Sequence, residues 1–267
     1  MYFFHIIFIL FFLHLQAINV VQYLNSIPSQ DRQNIERVFI ELIKNDHFAY
    51  SLFGDKPVSL SSHFILTPWE NIIEHMPTDR IFWKNWESWK KYRDLFLSHK
   101  YLILEEKSKT EKFEIISIMM INKEALIEVV NKNSKIFSVV LNKKIEGQQF
   151  LDEIETGKIG FIEAINNSQI LWGILLGYGT HNSFLYAIRD RPYLWSLSHL
   201  NKYLLENCSD SVFMPFHLNS VYFAGDSKHP ETIYLKNKYK KMRGEISAIY
   251  NQGDFLEITL RQFTQSK

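Results

Sequence analysis

The apolar run FEIISIMMI, at residues 113–121, constrains the fold more than any other part of the sequence. A charged SKTE turn joins it to a second apolar run, YLILEEK, at residues 101–107. Short runs of branched residues on either side of a turn are typical of a β-hairpin. We therefore predict a hairpin across residues 101–121, in the middle of the chain.

Helical patterns lie on both sides of this hairpin. Apolar residues recur there at three- and four-residue spacing, which is the pattern of amphipathic helices packed against a core. The predicted helices cover residues 29–53, 67–76, 79–96, 123–133, 146–156, 161–176 and 230–252. The order of helices, hairpin and helices favours an α+β fold over alternating βαβ units.

The C-terminal stretch FLEITLRQF alternates apolar and polar residues, with Leu256, Ile258 and Leu260 on one side. Alternation of this kind predicts a half-buried strand, and a third strand would stabilise the central hairpin. The predicted architecture is α+β, a mostly helical single domain at residues 29–267. Its small central antiparallel sheet consists of the hairpin and the C-terminal strand.

The first seventeen residues, MYFFHIIFILFFLHLQA, contain an apolar block followed by Ala17. The block has the length of a signal-peptide core, and it is shorter than the roughly 20 apolar residues of a spanning helix. We predict a signal peptide at residues 1–17, cleaved after Ala17, and a linker at 18–28. No Lys or Arg precedes the block, so an uncleaved membrane anchor and a buried N-terminal helix of a cytosolic protein remain alternatives.

Composition argues against several classes of function. Thirty basic and twenty-nine acidic residues leave a formal charge of +1, which gives no electrostatic reason to expect a nucleic-acid partner. The single cysteine, Cys208, excludes an intrachain disulfide and a cysteine-based metal cluster. The ten histidines are scattered without a ligand motif, although His181, His217 and His229 could converge in space. We predict no metal and no cofactor.

The glycine-rich stretch GILLGYGTHNSF, at residues 173–184, matches neither a Rossmann loop nor a P-loop. Gly173 and Gly177 are four residues apart and would share one face of a helix, so we predict that both permit a close helix–helix contact. Two alternatives remain for the chain that follows. Either the helix continues through this stretch, or it breaks at Gly179 and a new helix is capped by Thr180 or Asn182.

Gly225-Asp226-Ser227 resembles the nucleophile block of the GDS-type lipases and esterases. That family places a base motif, Asp-x-x-His, far downstream, whereas the last histidine of this chain is His229. A hydroxyl without a positioned base is a weak nucleophile, so Ser227 is interpreted as a turn residue. No catalytic residue is assigned.

Three segments, HFAYSLFGDKP, GILLGYGTHNSF and QGDFLEITL, together resemble an uncharacterised family of exported proteins from chlamydia-like intracellular bacteria. The resemblance implies a bacterial envelope setting. It implies no activity, because none is known for the family.

We therefore expect an exported bacterial envelope or host-facing protein that binds a protein or a small molecule. Membrane contact is expected only through an uncleaved N-terminal segment. The alternative is a hydrolase or transferase whose site assembles from residues distant in the sequence. In either case Asp55, Lys56, His181 and Asn182 are the polar residues that we expect near a pocket.

Overall fold

The computed structural model describes residues 20–66, 77–109, 113–189, 218–221 and 223–264. The strands are β1 (Val58–Leu66), β2 (Tyr101–Lys109) and β3 (Phe113–Asn122). The helices are α1 (Ser29–Lys44), α2 (Phe48–Leu52), α3 (Pro77–Tyr92), α4 (Lys123–Lys132), α5 (Ser134–Leu141), α6 (Gly147–Glu155), α7 (Phe161–Ala164), α8 (Gln169–Leu175), α9 (Thr180–Arg189), α10 (Pro230–Tyr250) and α11 (Phe255–Thr264). A mostly helical α+β fold with one small antiparallel sheet is confirmed.

The sheet is built around the predicted hairpin. β2 and β3 are antiparallel, with Tyr101 opposite Asn122, and β1 pairs with the other edge of β3 in the order β1-β3-β2. β3 is therefore the central strand. Asn122 ends β3 and begins α4, because its side-chain oxygen accepts a hydrogen bond from the backbone N–H of Ala125 at 3.3 Å.

β3 is buried on both faces, which explains its nearly continuous apolar sequence. Ile118 and Met120 belong to a core shared with α1, α2, α3, α10 and α11. Met119 and Ile121 belong to a second core shared with the helices from α4 to α8. The helices therefore form two layers, one on each side of the sheet.

The predicted C-terminal strand is wrong, because residues 255–264 form helix α11. The buried residues of α11 are Leu256, Thr259, Leu260 and Phe263, which is the spacing of one helix face. A nine-residue segment with apolar residues at 256, 258, 260 and 263 fits both periods, and packing against the first core selects the helix. The third strand is instead β1, which was not predicted because of its serines.

Several boundaries also differ from the predictions. α1 ends at Lys44, and His47 adopts a left-handed conformation, with φ 66°, before α2 begins. The helix predicted at 161–176 is two helices, because Asn166 and Asn167 are left-handed. Residues 20–26, within the predicted linker, are helical, and Val20 and Leu24 are buried in the first core.

Some predicted features lie outside the described residues. They are the signal peptide at 1–17, the helix at 67–76, Cys208 and His217.

The helical conformation of α11 predicts that two alanine substitutions lower the free energy of unfolding by different amounts. Leu260 is fully buried whereas Ile258 is partly exposed, so Leu260→Ala should lower the free energy of unfolding by about 3 kcal/mol and Ile258→Ala by about 1 kcal/mol. Urea denaturation of the two variants measures the difference. Equal losses would instead support the alternating strand, in which both side chains face the core.

Candidate ligand-binding pocket

A pocket of about 530 Å³ lies between α8, α9 and the segment at residues 223–224. This volume is within the usual range of small-molecule sites. The lining residues are Leu60, Gln169, Trp172, Gly173, Leu176, Tyr178, Asn182, Ser183, Tyr186, Phe223 and Ala224. Four of these residues are aromatic, and none of the eleven is charged.

The close contact of α8 with α9 forms one side of the pocket. Gly173 lies against Ser183, and a Cβ atom at position 173 would clash with the Ser183 side chain. Gly173 thus lies in a helix contact of the kind that we predicted for it. The contact brings Trp172 and Ser183 to the same pocket.

Gly177 has a different role from the predicted one. α8 ends at Leu175, and Gly177 and Gly179 are left-handed, with φ 78° and 85°, so the chain turns before α9 begins at Thr180. Of the two alternatives for this stretch, the structure has the break. The break covers residues 176–179, however, and Thr180 and Asn182 lie within α9 and do not cap it. Tyr239 packs against the turn and donates a hydrogen bond from its hydroxyl to the carbonyl oxygen of Gly177, at 2.8 Å. The turn carries Tyr178 to the pocket wall.

Asn182 joins three segments around the pocket. Its Oδ1 accepts hydrogen bonds from the backbone N–H of Asp226 at 3.2 Å and from the hydroxyl of Thr232 at 2.9 Å. Its Nδ2 donates to the carbonyl oxygen of Tyr178 at 2.9 Å. Asn182 is only 1% exposed, and of the four predicted binding residues it alone lines the pocket.

Asp55 and Lys56 lie outside the pocket lining. Asp55 is largely exposed and forms an ion pair with Lys238 at 2.7 Å. Lys56 is fully buried, and its ammonium donates to the carbonyl oxygen of Val58 at 2.5 Å and to Ser59 Oγ at 3.2 Å. Burial lowers the pKa of Lys56 to about 7, because desolvation disfavours the charged amine.

His181 lies next to the pocket and stacks on His229. The ring centroids are 3.7 Å apart and the ring planes differ by 12°. Two parallel imidazoles hold their nitrogen lone pairs in separate planes, an arrangement that does not suit joint coordination of one ion. Within the described parts of the chain, no group of three His, Cys, Asp or Glu residues could hold a metal.

Glu231 of α10 supports the start of α9, and the sequence analysis did not identify it. Its carboxylate accepts the backbone N–H groups of Thr180 at 3.0 Å and His181 at 2.8 Å. A carboxylate at a helix N-terminus is favourable because it satisfies free N–H donors. The sequence analysis also did not identify Trp172 and Phe223 as lining residues. These residues are about fifty positions apart, and no local sequence motif connects them.

Comparison with known proteins adds no relative. No family model, curated protein or solved structure matches this chain. Among the helices within the described ranges, none combines the length and apolar character that crossing a membrane requires.

Buried Lys56 predicts that stability depends on pH. The unfolded chain keeps the ordinary lysine pKa near 10.5, so above about pH 7 it binds more protons than the folded chain does. The free energy of unfolding should therefore rise between about pH 7 and pH 9, by up to about 1.4 kcal/mol per pH unit. Denaturant titrations across this range measure the slope.

The variant Lys56→Met should flatten this slope, because methionine fills similar space without a titratable amine. Lys241→Met is the matched control, since the Lys241 side chain is 79% exposed. A slope that persists unchanged in Lys56→Met would show that Lys56 does not cause the pH dependence.

Proposed function

We propose that this chain is an exported protein that acts by binding, and that the α8–α9 pocket is its site. The observation that carries the proposal is the lining: four of the eleven described lining residues are aromatic and none of the eleven is charged. Such a lining offers apolar contact area and a few polar anchors, which is the usual composition of a ligand site.

The lining gives little support to the hydrolase or transferase alternative. Ser183 is the hydroxyl that a nucleophilic mechanism would use, but it donates its proton to the carbonyl oxygen of Gly179 and not to a base. Burial lowers the pKa values of Lys56 and of His47, the latter to about 4, yet neither residue lines the pocket. Groups with shifted pKa values mark catalytic sites when they face a cleft.

Binding in this pocket predicts the behaviour of a neutral fluorescent probe. Nile red should bind with one site per chain and with an increase in its fluorescence. Ala224→Trp should weaken that binding at least about tenfold, because the indole fills the pocket that Ala224 lines. Fluorescence titration gives the dissociation constants.

Ala248→Trp is the matched control, because Ala248 lies on the exposed face of α10. This variant adds the same indole without entering the pocket, so its affinity should equal that of the unmodified chain. If both tryptophan variants bind Nile red equally well, or if neither Nile red nor any other neutral apolar probe binds, the pocket is not a ligand site.

The exported location is supported by the leader at residues 1–17 and by the resemblance to exported bacterial proteins. A fusion of residues 1–28 to a phosphatase that is active only outside the cytoplasm should give active enzyme in a Gram-negative host. N-terminal sequencing of the product should then find Ile18 as the first residue. Recovery of Met1 from the membrane fraction would favour the anchored alternative instead.

A further inference from the structure

We propose that the ligand of the α8–α9 pocket is a neutral aromatic molecule that carries a hydrogen-bond acceptor such as a carbonyl group. This inference rests on the proposed function, because it names the chemical class that the same pocket takes. Three properties of the lining carry it: the absence of charge, the arrangement of aromatic rings, and the hydrogen-bonding state of the buried amide.

The lining favours a neutral ligand. A carboxylate or an ammonium placed in the pocket would lose water without meeting an opposite charge on any of the described lining residues. Asp226 lies close to the pocket through its backbone contact with Asn182, but its carboxylate is turned to His181 Nε2, at 4.0 Å, and to the backbone N–H of Lys228. A charged group would therefore weaken binding.

The aromatic residues favour a flat ring over a flexible aliphatic chain. Tyr178 and Phe223 stack on each other, with ring centroids 5.5 Å apart and planes 19° apart, and both residues line the pocket. Trp172 of α8 and Tyr186 of α9 also line the pocket. Aromatic rings gain stacking or edge-to-face contacts with such residues beyond the burial of their area.

Asn182 determines which polar atom of the ligand is preferred. Its oxygen already accepts two hydrogen bonds, whereas its amide nitrogen has two N–H groups and donates to one carbonyl oxygen, that of Tyr178. The second N–H has no acceptor within the described chain. A buried donor without an acceptor is costly, so a ligand that brings an acceptor gains more than one that does not.

The test uses a set of probes that each change one property. The reference probe is 2-acetylnaphthalene, which is neutral and aromatic and carries a carbonyl group. Its counterparts are 2-naphthoate, which is an anion, 2-(aminomethyl)naphthalene, which is a cation, 2-ethylnaphthalene, which lacks the acceptor, and 2-decanone, which lacks the rings. Equilibrium dialysis with chromatographic detection gives a dissociation constant for each.

The reference probe should bind at least about tenfold more tightly than either charged probe, because the lining cannot compensate a buried charge. It should bind about fivefold more tightly than 2-ethylnaphthalene and than 2-decanone, because each lacks one favourable contact. Equal or tighter binding of a charged probe, of the hydrocarbon or of the aliphatic ketone would overturn the proposal.

Two variants locate the ring contact. Phe223→Leu keeps an apolar side chain but removes the stacked ring, so it should weaken the binding of 2-acetylnaphthalene about fivefold and that of 2-decanone by a smaller factor. Tyr234→Leu, which removes an aromatic ring that is 64% exposed on α10, should change neither affinity. An unchanged circular dichroism spectrum shows that the Phe223→Leu variant is folded.

The outcomes separate this inference from the proposed function. If Nile red binds in the pocket but the probes show no preference for the neutral aromatic ketone, the ligand class is wrong and the binding function stands. If neither Nile red nor any probe binds, the binding function itself is wrong, and the ligand class falls with it.

Discussion

The burial of β3 on both faces is the constraint on which the rest of the structure depends. A strand with apolar side chains on alternate faces needs cover on each side, and the two helical layers provide it. Because both layers pack on one strand, α8 and α10 are held at fixed positions although they belong to different layers. The turn at Gly177 can therefore meet Tyr239 of α10 at a defined place.

Buried polar contacts then determine the detailed shape around the pocket. Tyr239 holds the turn after α8, Glu231 holds the start of α9, and Asn182 connects α9 to the loop before α10. Each contact removes a polar group from water and is favourable only because its partner is present. Loss of one partner would leave the other unsatisfied, so this side of the pocket is held by mutually dependent contacts.

The parts that were predictable from the sequence depend on local patterns. The hairpin, α1, α4 and α10 each have a clear period together with a turn or a cap, and their type was correct. β1 was not predicted because serine is not among the residues that are enriched in strands. One of these serines, Ser59, is buried, and its hydroxyl accepts a hydrogen bond from the Lys56 ammonium and donates one to the carbonyl oxygen of His47. The pocket was only partly predictable: Asn182 follows a local glycine turn, whereas Phe223 reaches the site through tertiary structure.

The same contacts are the basis of our proposal that the site binds a ligand. Three polar groups at or beside the pocket hold its walls. The Asn182 oxygen accepts two hydrogen bonds, the Ser183 hydroxyl donates to the backbone, and the Glu231 carboxylate caps α9. A catalytic acid or base must be free to exchange protons with a substrate, and these groups are not. A ligand that satisfied the remaining N–H of Asn182 would reinforce the same network, and since it binds only the folded chain it would also stabilise the fold.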